Sequence, residues 1–152
     1  MNKKLMYASG VLLFVLFIFV MPVLLHDSMT KNKDLRGLAK EKVIFIQGAY
    51  NNSEFLEVYN LGTDGFKKSI SEGDFTNLMN IHKKVLGELV KSKLLAIKVI
   101  NSNVVILTYR ADYKNYSLVE EYEFTNKNKD NALQLSSHFI DDGGVRGEVI
   151  KY

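Results

Sequence analysis

The 152-residue sequence has no cysteine, no tryptophan, a single proline and only three histidines. Without cysteine there is no disulfide framework, no thiolate ligand, no cysteine nucleophile and no site for lipoprotein attachment. His26, His82 and His138 include no i, i+4 pair, so a zinc site lacks its donors. There is no Gly-x-Ser-x-Gly motif, and no glycine-rich phosphate loop, because Gly143-Gly144 precedes no helical pattern. An excess of one charge is also missing. Lys and Arg number 20 against 17 Asp and Glu, and no basic stripe forms, which argues against a nucleic-acid partner. No metal and no cofactor is expected.

What is present is a long apolar run. Leu5 to Leu25 holds 18 apolar residues and no charge. As a helix its 21 residues span roughly 31 Å, about the hydrocarbon thickness of a bilayer. Its only proline, Pro22, falls near the exit, where a kink costs least. The exit, Val23-Leu-Leu-His-Asp-Ser28, lacks the small-x-small pattern of a signal-peptide cleavage site. Residues 1–26 therefore read as an uncleaved signal-anchor helix, and Leu5 to Leu25 as the contact with the membrane. Lys3 and Lys4 favour a cytoplasmic N-terminus, whereas Lys31, Lys33, Arg36 and Lys40 beyond the segment favour the reverse. A short N-terminal tail before a long C-terminal domain tips the expectation to an inner-membrane protein with its domain outside the cytoplasm.

Beyond the anchor, 41% of residues are apolar and the charges nearly cancel, as in an ordinary folded domain. Residues 27–50 read as a juxtamembrane linker or helix. Leu35, Leu38/Ala39, Phe45/Ile46 and Ala49 keep helical spacing, with an end near Gly48. Ser53 reads as an N-cap, and Phe55, Val58, Tyr59, Gly62, Phe66 and Ile70 form one stripe of a helix of about five turns. Gly62 either breaks that helix or admits a neighbouring backbone; a single helix is the expectation. Gly73 ends it and Asp74 caps the next helix, with Leu78, Ile81/His82 and Val85 buried and Gly87 as the C-terminal stop.

After Ser92 the period changes from 3.6 to 2. Strands are expected at Leu94–Ile100, Val104–Tyr113, Leu118–Phe124 and Ala132–Ile140, with a short fifth at Val145–Ile150. Val105, Leu107, Tyr109, Ala111 and Tyr113 share one face, as do Leu118, Glu120, Tyr122 and Phe124; Leu133, Leu135 and Phe139 point inward on the fourth strand. Asn101-Ser-Asn103 and Lys114-Asn115 read as turns. Helices followed by an antiparallel sheet of four to five strands imply an α+β layer fold.

Phe66-Lys-Lys-Ser-Ile-Ser-Glu-Gly-Asp-Phe75, Val85-Leu-Gly87, Val104–Tyr113 and Glu120-x-Tyr-x-Phe124 resemble small bacterial secreted or anchored domains of the NTF2-like (cystatin-like cone) superfamily. The resemblance covers roughly residues 50–140 and assigns 51–152 to such a domain. It implies two or three helices packed on a strongly curved sheet. The tryptophan many such domains carry on the last long strand has no counterpart near Ala132 and Leu133. An anchor followed by such a domain also resembles the periplasmic scaffold subunit of type IV secretion machines.

Glu120 stands out because alternation puts a carboxylate among core-facing residues, an arrangement that costs energy unless the group is bonded or faces a pocket. A cone lined by Tyr109, Tyr113, Glu120 and Tyr122 is the candidate ligand site. The alternative is a Glu120 that is solvated at the strand start or bonded to a tyrosine hydroxyl. Glu121 and Glu123 read as a solvated face, and Asp141-Asp-Gly-Gly144 as a turn. These features point to a non-enzymatic, membrane-anchored module of the cell envelope that binds a ligand, a protein partner or itself. A scaffold subunit of an envelope complex and a small enzyme using Glu120 are the alternatives.

Overall fold

The structure is a computed structural model that describes residues 30–126, 132–141 and 147–152. The chain divides into two units, Met1–Asp34 and Leu35–Tyr152; the fold below is that of the second. The apolar run Leu5 to Leu25 lies outside the described residues. Among those described, no helix is long and apolar enough to cross a membrane.

The first helix, α1, covers residues 30–52. Leu35, Ala39, Val43, Ile46, Ala49 and Tyr50 are buried, one stripe at steps of three and four. Leu38 and Phe45, alternatives within that stripe, face outward. The helix passes Gly48, whose missing Cβ meets nothing nearby. It ends where Ser53 turns to a left-handed φ of 62°. Ser53 therefore closes α1 and does not cap the following helix, which starts after Glu54 without a side-chain cap.

The expected five-turn helix is two short ones, α2 (Phe55–Asn60) and α3 (Asp64–Ser69). Both readings of Gly62 hold together. The helix breaks there, and Gly62 forms a parallel bridge to Leu135. Leu135 N–H donates to Leu61 O at 2.8 Å, and Thr63 N–H donates to Leu135 O at 2.9 Å. A Cβ on Gly62 would stand 2.4 Å from the Phe66 ring and 2.9 Å from Tyr59 O. Thr63 then opens α3, its hydroxyl accepting from Phe66 N–H at 3.1 Å.

α4 (Glu72–Leu86) starts before Gly73. Its N-cap is Ser71, whose hydroxyl accepts from Asp74 N–H at 3.1 Å and donates to the Asp74 carboxylate at 2.6 Å. Asp74 belongs to the first turn and is not the cap. The buried stripe is Phe75, Met79 and Leu86, while Leu78, Ile81 and Val85 are exposed. Gly87 ends the helix at φ 82°, as expected.

Four long strands follow: β1 (Leu89–Ile100), β2 (Val104–Tyr113), β3 (Tyr116–Thr125) and β4 (Gln134–Asp141). They pair antiparallel in that order and curl into a half-barrel. A short β5 (Ile150–Lys151) pairs with the start of β3 at Tyr116 and Ser117. β1 begins five residues before the expected start because its register shifts at Leu89/Lys91 and at Leu94/Ala96, which hides the alternation of its first half. The β1–β2 turn places Asn101 and Ser102 at φ 50° and 51°. On β2 and β3 the expected inward residues are buried, from Val105 to Tyr113 and from Leu118 to Phe124.

β4 departs from its expected alternation. Glu123 pairs with Ser137 but Phe124 pairs with Leu135, so Ser136 is an extra residue. This bulge reverses the parity beyond it. Leu133 and Leu135 are buried as expected, Phe139 is turned outward and 39% exposed, and the His138 side chain is only 7% exposed. One apolar core joins the helices to the sheet's concave face.

Candidate functional site

The strand register assembles a polar cluster inside the core. Glu120 lies opposite Tyr109 on β2, and Tyr122, two residues along the same face, lies opposite His138 on β4. Glu120 is 0% exposed. One carboxylate oxygen accepts from the Tyr113 hydroxyl, and the other from the Tyr122 hydroxyl at 2.5 Å. His138 stacks on the Tyr122 ring with centroids 4.5 Å apart and planes within 10°. Its Nε2 stands 4.0 Å from Glu120 Oε1, beyond hydrogen-bond reach, and has no hydrogen-bond partner. Tyr109 packs edge-on against Tyr122 at 6.1 Å, and Tyr50 edge-on against Tyr113 at 5.3 Å. The Tyr50 hydroxyl donates to Gly87 O at 2.9 Å, which ties α1 to the end of α4.

Burial sets the proton affinities. It pushes Tyr113 and Tyr122 well above their usual range, and the Glu120 carboxylate they bond to raises them further. Tyr50 is raised by burial and then by Glu120, and Tyr109 by burial. Burial lowers the His138 pKa; Glu120 opposes that shift, and His82 adds to it.

Of the four candidate residues, Tyr113, Glu120 and Tyr122 are joined directly by hydrogen bonds, and Tyr109 touches the group through the Tyr122 ring. This matches the bonded alternative for Glu120. None of the four lines the large cavity beside them. That cavity holds about 450 Å³ and lies between α3, α4 and the β3–β4 edge. α4 supplies Phe75, Leu78, Met79, His82, Val85 and Leu86; the strands supply Leu118, His138, Phe139 and Ile140. Phe66, Ser69 and Ile70 complete the wall. Only Ser69, His82 and His138 are polar, and no Asp, Glu, Lys or Arg takes part. Leu78 and Val85, on the expected buried stripe of α4, are 40% and 49% exposed and line the cavity.

His138 thus belongs to both structures, bordering Glu120 and the cavity wall. Sequence reading missed it because the alternation on β4 was carried straight through Ser136. The signal was the interruption Leu133-x-Leu135-Ser-Ser-His138-x-Ile140, in which two apolar-spaced pairs are out of phase by one residue. Among the described residues, no group of three or more His, Cys, Asp or Glu is placed to hold a metal ion. No family model matches the chain, and neither does any curated protein.

Proposed function

We propose that this chain is a membrane-tethered, non-enzymatic module of the cell envelope that binds a small apolar ligand between α4 and the β3–β4 edge. The observation that carries the reading is the cavity of about 450 Å³ with an almost wholly apolar wall and exposed apolar residues at its edge. Its size falls within the roughly 300–1,000 Å³ of small-molecule sites, which combine apolar walls with a few placed polar groups. Exposed Leu78, Val85 and Phe139 cost little if an apolar ligand covers them.

Binding is favoured over catalysis by the enclosure of Glu120. Both its oxygens are taken by tyrosines and none of its surface is exposed, so a substrate would have to break the cluster to reach it. The tether rests on the charge-free run Leu5 to Leu25. Helices preceding a curled antiparallel sheet that encloses a cavity also suit the NTF2-like relationship and an extracytoplasmic domain.

The test uses the full chain in lipid nanodiscs with ¹³C-methyl methionine. Met79 sits in the cavity wall, so a long-chain alcohol is expected to shift its methyl resonance saturably. Leu78→Trp, which fills the cavity from its edge, is expected to abolish that shift. A Met79 resonance that does not respond in the native chain would contradict the reading.

A further inference from the structure

Resting on that ligand-binding reading, we propose that the ligand is a single-chain amphiphile bearing a carboxylate, with its chain in the apolar cavity and its head at His138 and His82. The wall's chemistry divides in this way. Ten of its thirteen residues are apolar, and two of the three polar ones are imidazoles. An imidazole is the only group in this wall able to become a cation, so an acidic head is the ligand group it can hold by charge. A phosphate head would carry up to two charges, and no Lys or Arg lines the cavity to meet them. An ammonium head would find no carboxylate in the wall.

His138 is prepared for this role by its neighbours. Its ring is held flat on Tyr122, and its Nε2 is buried without a hydrogen-bond partner. An unpartnered buried nitrogen costs energy that protonation and ion pairing recover. Glu120, 4.0 Å away, is fixed in place by Tyr113 and Tyr122. An imidazolium at His138 would lie between the Glu120 carboxylate and the ligand's carboxylate. The titratable groups around it are Glu120 and Tyr122 on β3, Tyr113 on β2, Tyr50 on α1 and His82 on α4. Of these, Glu120 favours the imidazolium and His82 disfavours it; an anion between the two histidines removes the second objection. Empty, the site favours the neutral ring, because burial dominates. Binding an anion therefore takes up a proton, and affinity rises as pH falls.

The test compares two photoreactive probes of equal chain length, an alkyl carboxylate and an alkyl alcohol, added to the full chain in phosphatidylcholine vesicles. Labelled peptides from α4 and β4 are quantified by mass spectrometry. The native chain is expected to prefer the carboxylate by about tenfold, the effect of one charge-assisted hydrogen bond. The preference is expected to grow between about pH 8 and about pH 6. His138→Gln is expected to remove the preference and its pH dependence while leaving alcohol labelling unchanged. Comparing native and variant chains at each pH cancels the probe's own titration. His82→Gln, which leaves the Tyr122 stack in place, is expected to reduce the preference in part. Equal labelling by both probes, or a carboxylate preference that survives His138→Gln, would overturn the carboxylate head and leave the binding site standing. Absence of label from α4 and β4 with either probe would overturn the binding reading itself.

Discussion

Glu120 is the residue on which the interior depends most. A buried carboxylate is tolerable only when its lone pairs are satisfied, and here two phenols satisfy them. Glu120→Gln keeps the volume but sets an amide N–H₂ against one tyrosine hydroxyl that now needs an acceptor. The expected loss is about 1–3 kcal/mol, read as a lower denaturation midpoint without a change in slope. Alkaline pH probes the same cluster. The unfolded tyrosines ionise near 10.0, whereas Tyr113 and Tyr122 hold their protons well above that in the fold. Their contribution is intact below the unfolded value and is lost as pH rises beyond it. Stability is therefore expected to fall above about pH 10, less steeply in Tyr122→Phe, as followed by chemical denaturation across that range. His138 acts at the other end. Its lowered pKa means that the unfolded chain binds more protons below 6.5, so stability declines as pH falls through that value.

Elements were legible where one periodicity ran unbroken. Val104–Tyr113 alternates without a fault, and β2 has those bounds, with every inward residue buried. Gly87 stops α4 because only a residue tolerant of φ 82° fits there. What could not be read were the interruptions. The α2–α3 break depends on Leu135, a residue 73 positions beyond Gly62 in the chain, offering its backbone as a partner. Ser71 outcompeted Asp74 as a cap because its hydroxyl serves the first turn and the Asp74 carboxylate together. Ser136 has no local marker beyond a second serine beside it, yet its bulge decides which side chain reaches the core. Deleting Ser136 is expected to restore straight pairing, turning Phe139 inward and His138 to solvent. Nuclear Overhauser contacts between His138 and Tyr122 report this directly. They are expected in the native chain and absent after the deletion; contacts that persist would mean that the bulge does not set the parity.

For the molecule as a whole, the candidate site was half legible. Alternation brought Glu120, Tyr113 and Tyr122 to one face, which is the cluster the fold contains. The cavity was not foreseen, because its wall comes from α4 residues read as core and from a histidine read as facing away. Leu78 and Val85 are apolar but line an opening, and hydrophobicity alone does not distinguish a core contact from a ligand contact. Topology remains an expectation from the sequence: a periplasm-dependent reporter fused after Tyr152 is expected to be active, and an inactive one would put the domain in the cytoplasm. The central claim is that the cavity is a ligand site, and native mass spectrometry of the full chain released directly from membrane vesicles tests it most directly. The account predicts that the native chain carries one small apolar molecule, and that Leu78→Trp, equally folded, carries none. A native chain that emerges bare, or the same adduct on both proteins, would contradict it.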